Sequence, residues 1–127
     1  MAEPSIDFGQ AEIEAFNNAA AAGAIHYDET SVRQAVQIYD KMIHGLQAVR
    51  KKLLQLTEAH GFGGFPTGQE LQQGFSGKAI SGVEVIDQLI DGAMRLQEAY
   101  LRAGGLISEA DHVNGERIKT VATAGGI

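Results

Sequence analysis

The sequence predicts an all-α protein: an antiparallel helical hairpin with an additional short N-terminal helix. Two long segments each carry an apolar residue at every third or fourth position, which is the pattern of an amphipathic helix. Between them, residues 60–68 read His-Gly-Phe-Gly-Gly-Phe-Pro-Thr-Gly. The glycines and the proline of this stretch end a helix and allow the chain to reverse. With 127 residues, the chain has the length of one domain.

The N-terminal part contains one short predicted helix, from about Gln10 to Ala22. Ile13, Phe16 and Ala20 share one face of it, and Gly23 is the favoured residue just past a helix end. The sequence therefore divides into an N-terminal arm with a short helix (residues 1–30), a hairpin (residues 31–119) with its elbow at 61–67, and a flexible tail (residues 120–127).

The first hairpin helix begins near three residues that can cap a helix: Asp28, Thr30 and Ser31. Ser31 with Gln34 also forms a capping-box pattern. Beyond the cap, apolar residues alternate spacings of three and four, which is a heptad seam. The seam consists of Val32, Ala35, Tyr39, Met42, Leu46, Val49, Leu53 and Leu56.

The second hairpin helix follows the elbow, with Thr67 and Glu70 as its predicted cap. Its seam contains many small residues, which suit close packing against the larger side chains of the first seam. Ser81 and the pair Gly104-Gly105 are positions where this helix could kink. The second seam consists of Phe75, Ala79, Gly82, Ile86, Leu89, Ala93, Leu96, Tyr100, Ala103, Ile107 and Ala110.

Further apolar residues flank both seams, so two helices alone would leave a large apolar surface in water. Val36, Ile43 and Leu54 flank the first seam, while Ile90 and Leu101 are among those that flank the second. These residues predict that two hairpins pair into a four-helix bundle. In the alternative arrangement, the N-terminal helix folds back and completes a monomeric three-helix bundle.

Composition argues against several classes of protein. The net charge of −6 argues against a nucleic-acid-binding domain, which normally shows a basic patch. The chain has no cysteine and hence no disulfide framework. No apolar run approaches the ~20 residues that a membrane-spanning helix needs, and residues 1–10 lack the pattern of a general secretory signal. We therefore expect neither membrane insertion nor nucleic acid as a partner.

The elbow and the second helix resemble those of the W-x-G family, small helical-hairpin proteins secreted by the type VII (ESX) system of actinobacteria and related bacteria. The likeness covers roughly residues 31–111 and is closest to ESX secretion-associated proteins, whose second half often reads like residues 64–71 and 107–111 here. Phe62-Gly63-Gly64 stands where the family has Trp-x-Gly. Ile107 and Asp111 have the spacing of the family's Tyr-x-x-x-Asp/Glu export signal, with Ile in the position of Tyr.

The resemblance implies a non-enzymatic protein that acts by pairing, either as a homodimer or with a homologous small hairpin. It also implies interaction with the type VII secretion machinery and a secreted or cell-envelope location. The residues implied in function are the two seams, the elbow triplet Phe62, Gly63 and Gly64, and the degenerate signal at Ile107 and Asp111. A cytoplasmic adaptor or chaperone-like bundle that is not exported is the alternative.

One pattern points to a metal-dependent bundle enzyme as a third hypothesis. Glu109 and His112 have the Glu-x-x-His spacing that di-iron carboxylate bundles use on one helix face. Such sites need a second copy of the motif and further inward-facing glutamates, and the sequence shows neither. The four histidines lack the spacing of zinc ligands, and no serine lies in a nucleophile-elbow pattern. We therefore expect no cofactor, no metal and no catalytic residue.

Overall fold

A computed structural model of the chain describes residues 7–57 and 66–125, and within these ranges it contains four helices and no strand. The all-α prediction, with its hairpin and its short N-terminal helix, is confirmed. Helix α3 packs against each of the other three helices, so a four-helix bundle forms within one chain. The helices are α1 (Gln10–Ala21), α2 (Glu29–Leu56), α3 (Pro66–Ala103) and α4 (Ile107–Gly125).

Local hydrogen bonds explain where α1 ends and where α2 begins. Gly23 adopts the left-handed conformation, with φ of 75°, and Ala24 N–H donates back to the Ala19 carbonyl, which is a Schellman ending. Asp28 caps α2, because its side chain accepts a hydrogen bond of 3.0 Å from Ser31 N–H. Ser31 itself lies inside the helix, so the predicted capping box with Gln34 is not the cap.

The second hairpin helix also begins earlier than predicted. Pro66 is the first residue of α3, a position where its missing N–H would have no partner in any case. Thr67 therefore lies in the first turn rather than at the cap.

The predicted second seam is wrong in running as one helix to Ala110, because the chain reverses at residues 104–106. Gly105 has φ of 76°, Leu106 N–H donates to the Leu101 carbonyl at 2.8 Å, and Gly105 N–H donates to the Arg102 carbonyl. These bonds form a second Schellman ending. The chain then begins α4, which folds back along α3 and brings Ala110 against Leu101.

Helix α4 also changes the predicted C-terminal boundary. It extends to Gly125, which places residues 120–125 in a helix rather than in the tail predicted to begin at residue 120. An ion pair of 2.9 Å joins Arg117 of α4 to Asp91 of α3. This contact shows that α4 runs antiparallel to α3 well beyond the turn.

The hairpin core uses a stripe that is displaced from the predicted seam. Ile43 and Ile90 are buried against each other's helices, whereas the preceding residues, Met42 and Leu89, are exposed. On both helices, one of the two predicted seam positions in each heptad is thus replaced in the interface by the residue that follows it. The inward residues of α2 are Val32, Val36, Tyr39, Ile43, Leu46, Arg50 and Leu53.

Polar side chains join α2 to α3 within this interface. Gln97, only 3% exposed, donates from Nε2 to the Val36 carbonyl at 3.0 Å and to Asp40 Oδ1 at 2.7 Å. Arg50 and Asp87 form an ion pair of 2.6 Å. Since a buried polar group without a partner is costly, these pairings help to set the register of the two helices.

An aromatic cluster ties α1 and the following loop to the hairpin. Phe16 meets Tyr100 edge-on, with 5.0 Å between ring centroids, and Tyr27 and Tyr39 also contact Tyr100. Burial raises the pKa of the Tyr100 phenol, and its neighbours Tyr39 and Tyr27 add to the effect. Asn17 Nδ2 donates to a main-chain carbonyl of α3 at 3.0 Å, so α1 folds back onto α3.

Candidate interaction surface

The structure divides the twelve predicted seam residues of the candidate pairing site into two equal groups. Six are partly buried inside the molecule: Tyr39, Leu46, Leu53, Ile86, Leu96 and Tyr100. The other six are exposed: Met42, Val49, Leu56, Phe75, Leu89 and Ile107. Half of the predicted pairing residues thus pack inside one chain, and the other half lie exposed on its surface.

Most of the exposed large apolar residues of the hairpin follow one stripe on each helix. On α2 and α3 these residues, which we call the exposed stripe, are Ile38, Met42, Val49, Leu56, Leu71, Val85 and Leu89. Their spacings within each helix are four, seven or fourteen residues, so each set lies along one helix face.

The two halves of the exposed stripe lie on the same side of the hairpin. On each helix, an exposed position directly precedes an inward one, as Met42 precedes Ile43 and Leu89 precedes Ile90. In antiparallel helices, positions displaced from the interface in the same rotational sense face the same side of the pair. The contact of Arg50 with Asp87 sets the register, which places the middle of the α2 face near residues 85–89 of α3.

Gly45 lies within the exposed stripe, between Met42 and Val49. A Cβ atom added there would meet none of the described residues within 4 Å, so packing among them does not require a glycine at this position. A glycine in a helix interior costs roughly 0.5–1 kcal/mol relative to alanine. Its place in an apolar face therefore suits the close approach of a helix from outside the chain.

Helix α1 covers the continuation of this side of α3. Gly92 lies one turn beyond Leu89, and a Cβ there would come within 3.4 Å of Ile13 and 3.3 Å of the Gln10 side chain. Arg95, on the next turn, hydrogen-bonds to Gln10. The α3 part of the exposed stripe therefore stops where the N terminus of α1 begins to cover the helix.

The elbow triplet Phe62, Gly63 and Gly64 lies outside the described residues. The degenerate export signal is described, and it forms the first turn of α4 and the residue that follows. Ile107 is exposed, and Asp111 accepts a hydrogen bond of 3.0 Å from Arg102. Ile107 and Asp111 share one face of the helix because they are four positions apart.

Glu109 and His112 line a cleft between α2 and α4. Among residues 7–57 and 66–125, no group of three or more His, Cys, Asp or Glu side chains is arranged to hold a metal ion. Glu109 instead receives two hydrogen bonds from Arg33 of α2, at 3.0 and 3.1 Å. The structure thus gives Glu109 an ion-pair partner.

The polar contacts that organise these surfaces are not predicted from the sequence. Arg50 lies off the predicted seam, yet it occupies an inward heptad position once the stripe is displaced by one residue, and there it meets Asp87. Gln97 likewise falls on the inward side of α3. A charged or amide residue at the same heptad position as core residues is the signal that could have identified them.

None of the described helices is both long and apolar enough to cross a membrane. Comparisons of the chain with protein-family models, with curated proteins and with solved structures found no match.

Proposed function

We propose that this chain is a non-enzymatic helical-hairpin protein that acts by pairing through the exposed stripe, with a second copy or with a homologous hairpin. The observation that carries the proposal is the stripe itself, an apolar surface shared by two antiparallel helices. Contiguous apolar patches of this kind mark protein interfaces more often than free surface. Gly45 supports the proposal, because it leaves room for a partner helix at the middle of the α2 face.

Replacing Val49 and Leu89 together by lysine should separate the pair. We expect the wild-type chain to sediment as a dimer at micromolar concentration, and the double variant to pair at least about 100-fold more weakly. Burying an unpaired charge costs several kcal/mol, and about 1.4 kcal/mol corresponds to tenfold in affinity. Sedimentation velocity over a concentration series measures the effect.

Ile118→Lys is the matched control, because Ile118 is an exposed apolar residue of α4 outside the stripe. It should leave the dimer intact. A wild-type chain that stays monomeric at every concentration would refute pairing with itself, and a mixture with a candidate hairpin partner would then test the heterologous form. Equal loss of pairing in the control would show that the stripe is not the interface.

The resemblance to the W-x-G family leads us to propose export by a type VII system. In a host that has this system, deletion of its secretion ATPase should remove the protein from the culture supernatant. Phe62→Ala should reduce export without loss of helicity by circular dichroism, whereas Phe65→Ala, outside the W-x-G-like triplet, should not. Equal amounts in the supernatant with and without the ATPase would contradict export and favour a cytoplasmic adaptor.

A further inference from the structure

Helices α2 and α4 both pack on α3, and their side chains meet near the α3–α4 turn, where Val32 and Ala110 belong to one core cluster. Among the described residues, no Cα atom of α2 lies within 8 Å of a Cα atom of α4. The space between them is a cleft of about 500 Å³. It is separate from the exposed stripe, since Val36 and Asp40 face the cleft, whereas Met42 and Val49 belong to the stripe.

The floor of the cleft is apolar. It is formed by Val36 of α2, Met94 and Leu101 of α3, and Val113 of α4. Met94 is unbranched and can adapt its shape to an incoming side chain. Buried Gln97 completes the floor, but its amide nitrogen is already engaged by Val36 and Asp40. The floor therefore favours an apolar side chain over a polar one.

The rim of the cleft is acidic, with Asp40 on one wall and Glu109 and Glu116 on the other. Arg33 of α2 pairs with Glu109 of α4 and with Glu29 on its own helix. The hydrogen bond to Glu109 is the main reason that the pKa of this guanidinium is raised above its usual value. Glu116 has only a long contact of 3.6 Å with Lys119, a side chain that is 77% exposed, so its charge remains available to a ligand.

We propose that the α2–α4 cleft binds a basic amphipathic helix of a partner protein. The seven-residue separation of Glu109 and Glu116 corresponds to roughly 10 Å along α4, which is two turns of a bound helix. Such a helix would place one apolar side chain on the floor, with lysine or arginine three or four positions away reaching Asp40 and Glu116. Helix-in-groove recognition uses this spacing.

Charge separates this site from the exposed stripe. On α2, Lys52 lies three residues after Val49 of the stripe, and on α3, Lys78 lies seven residues before Val85. A basic helix would therefore meet like charge at the stripe. The cleft offers it carboxylates instead. We therefore expect a basic helix to prefer the cleft even when the stripe is free.

The probe is a labelled amphipathic peptide of about 14 residues, made of lysine, leucine and alanine, titrated with the full chain by fluorescence anisotropy. As a helix of roughly 21 Å it covers the roughly 10 Å between Glu109 and Glu116 and extends about one turn beyond each end. We expect it to bind at least about tenfold more tightly than a scrambled peptide of the same composition, since charge-assisted contacts that are aligned with an apolar anchor add to each other. Amide shifts in NMR spectra should map to the floor and the rim of the cleft.

The test variant is Asp40→Asn with Glu116→Gln, which keeps the shape of the rim. The new amide at position 40 retains an oxygen that can accept the hydrogen bond from Gln97. This variant should lower the affinity about tenfold. The control is Glu12→Gln with Glu14→Gln, which removes the same charge from α1, a helix that among the described helices contacts α3 and neither α2 nor α4. An equal loss in both variants, or equal binding of the scrambled peptide, would show attraction to the net charge only and would overturn the proposal.

Discussion

Truncation of Ile90 to alanine should destabilise the fold far more than truncation of its neighbour Leu89. Ile90 is 3% exposed and packs with Ile43 and Ala93 in the hairpin core, whereas Leu89 is 38% exposed. Large-to-small changes at buried positions cost about 2–5 kcal/mol, because they remove apolar contact and leave a cavity. We therefore expect that loss for Ile90→Ala, and less than about 1 kcal/mol for Leu89→Ala. Denaturant unfolding followed by circular dichroism measures both.

The unfolding experiments should be done at a protein concentration below the dissociation constant of any dimer. Leu89 lies in the proposed pairing stripe, and a dimer would add its own binding energy to the apparent stability. Ile43→Ala and Met42→Ala make the same comparison on α2, where Ile43 is buried and Met42 is exposed. A larger loss at Leu89 and Met42 than at Ile90 and Ile43 would restore the predicted seams as the core.

These substitutions test whether the predicted seam residues or the residues that follow them form the hairpin core. A spacing of three and four identifies an amphipathic helix well, and the predicted helix α1 and the hairpin helices indeed exist. Apolar residues flank the seams on both sides, however, so the pattern predicts a broad apolar face. It does not determine which of two neighbouring apolar residues on that face points into the core. The displacement brings Arg50 opposite Asp87 and Gln97 opposite Asp40. Pairwise polar contacts of this kind cannot be seen in a single helix pattern.

The candidate pairing surface was partly predictable for the same reason. The excess of apolar residues over what one interface can bury is visible in the sequence, and it predicts that some of them stay exposed. Which ones are exposed depends on how α1 and α4 pack on α3. The position of α4 depends on a reversal at Gly105, and a Gly-Gly pair predicts a break without predicting whether the helix kinks or ends.

Two adjacent glycines, Gly104 and Gly105, lie where α2, α3 and α4 meet. We expect Gly104→Ala to lower the free energy of unfolding by about 1–3 kcal/mol, the usual cost of overpacking a well-packed core. A Cβ at residue 104 would lie 3.0 Å from a methyl carbon of Val32, which is 1% exposed and packs against Leu101 and Ala110. Val32→Ala alone should also destabilise the fold, since it removes two buried methyl groups at about 0.8 kcal/mol each.

The two changes should be less than additive when they are combined. Alanine at position 32 vacates the space that the new methyl group at position 104 needs, so we expect a favourable coupling of about 1 kcal/mol in a double-mutant cycle followed by chemical unfolding. Strict additivity would show that the close approach of Gly104 to Val32 is not what requires the glycine.

Gly105→Ala is the control that separates packing from backbone geometry. Gly105 has φ of 76°, and a Cβ there would meet no atom of the described residues within 4 Å. Its substitution should cost about 1–2 kcal/mol through the left-handed backbone conformation, and Val32→Ala should not rescue it. Rescue at residue 104 without rescue at residue 105 would assign a separate role to each glycine. Gly104 allows Val32 of α2 to approach α3 closely, and Gly105 reverses the chain so that Glu109 of α4 reaches Arg33 of α2.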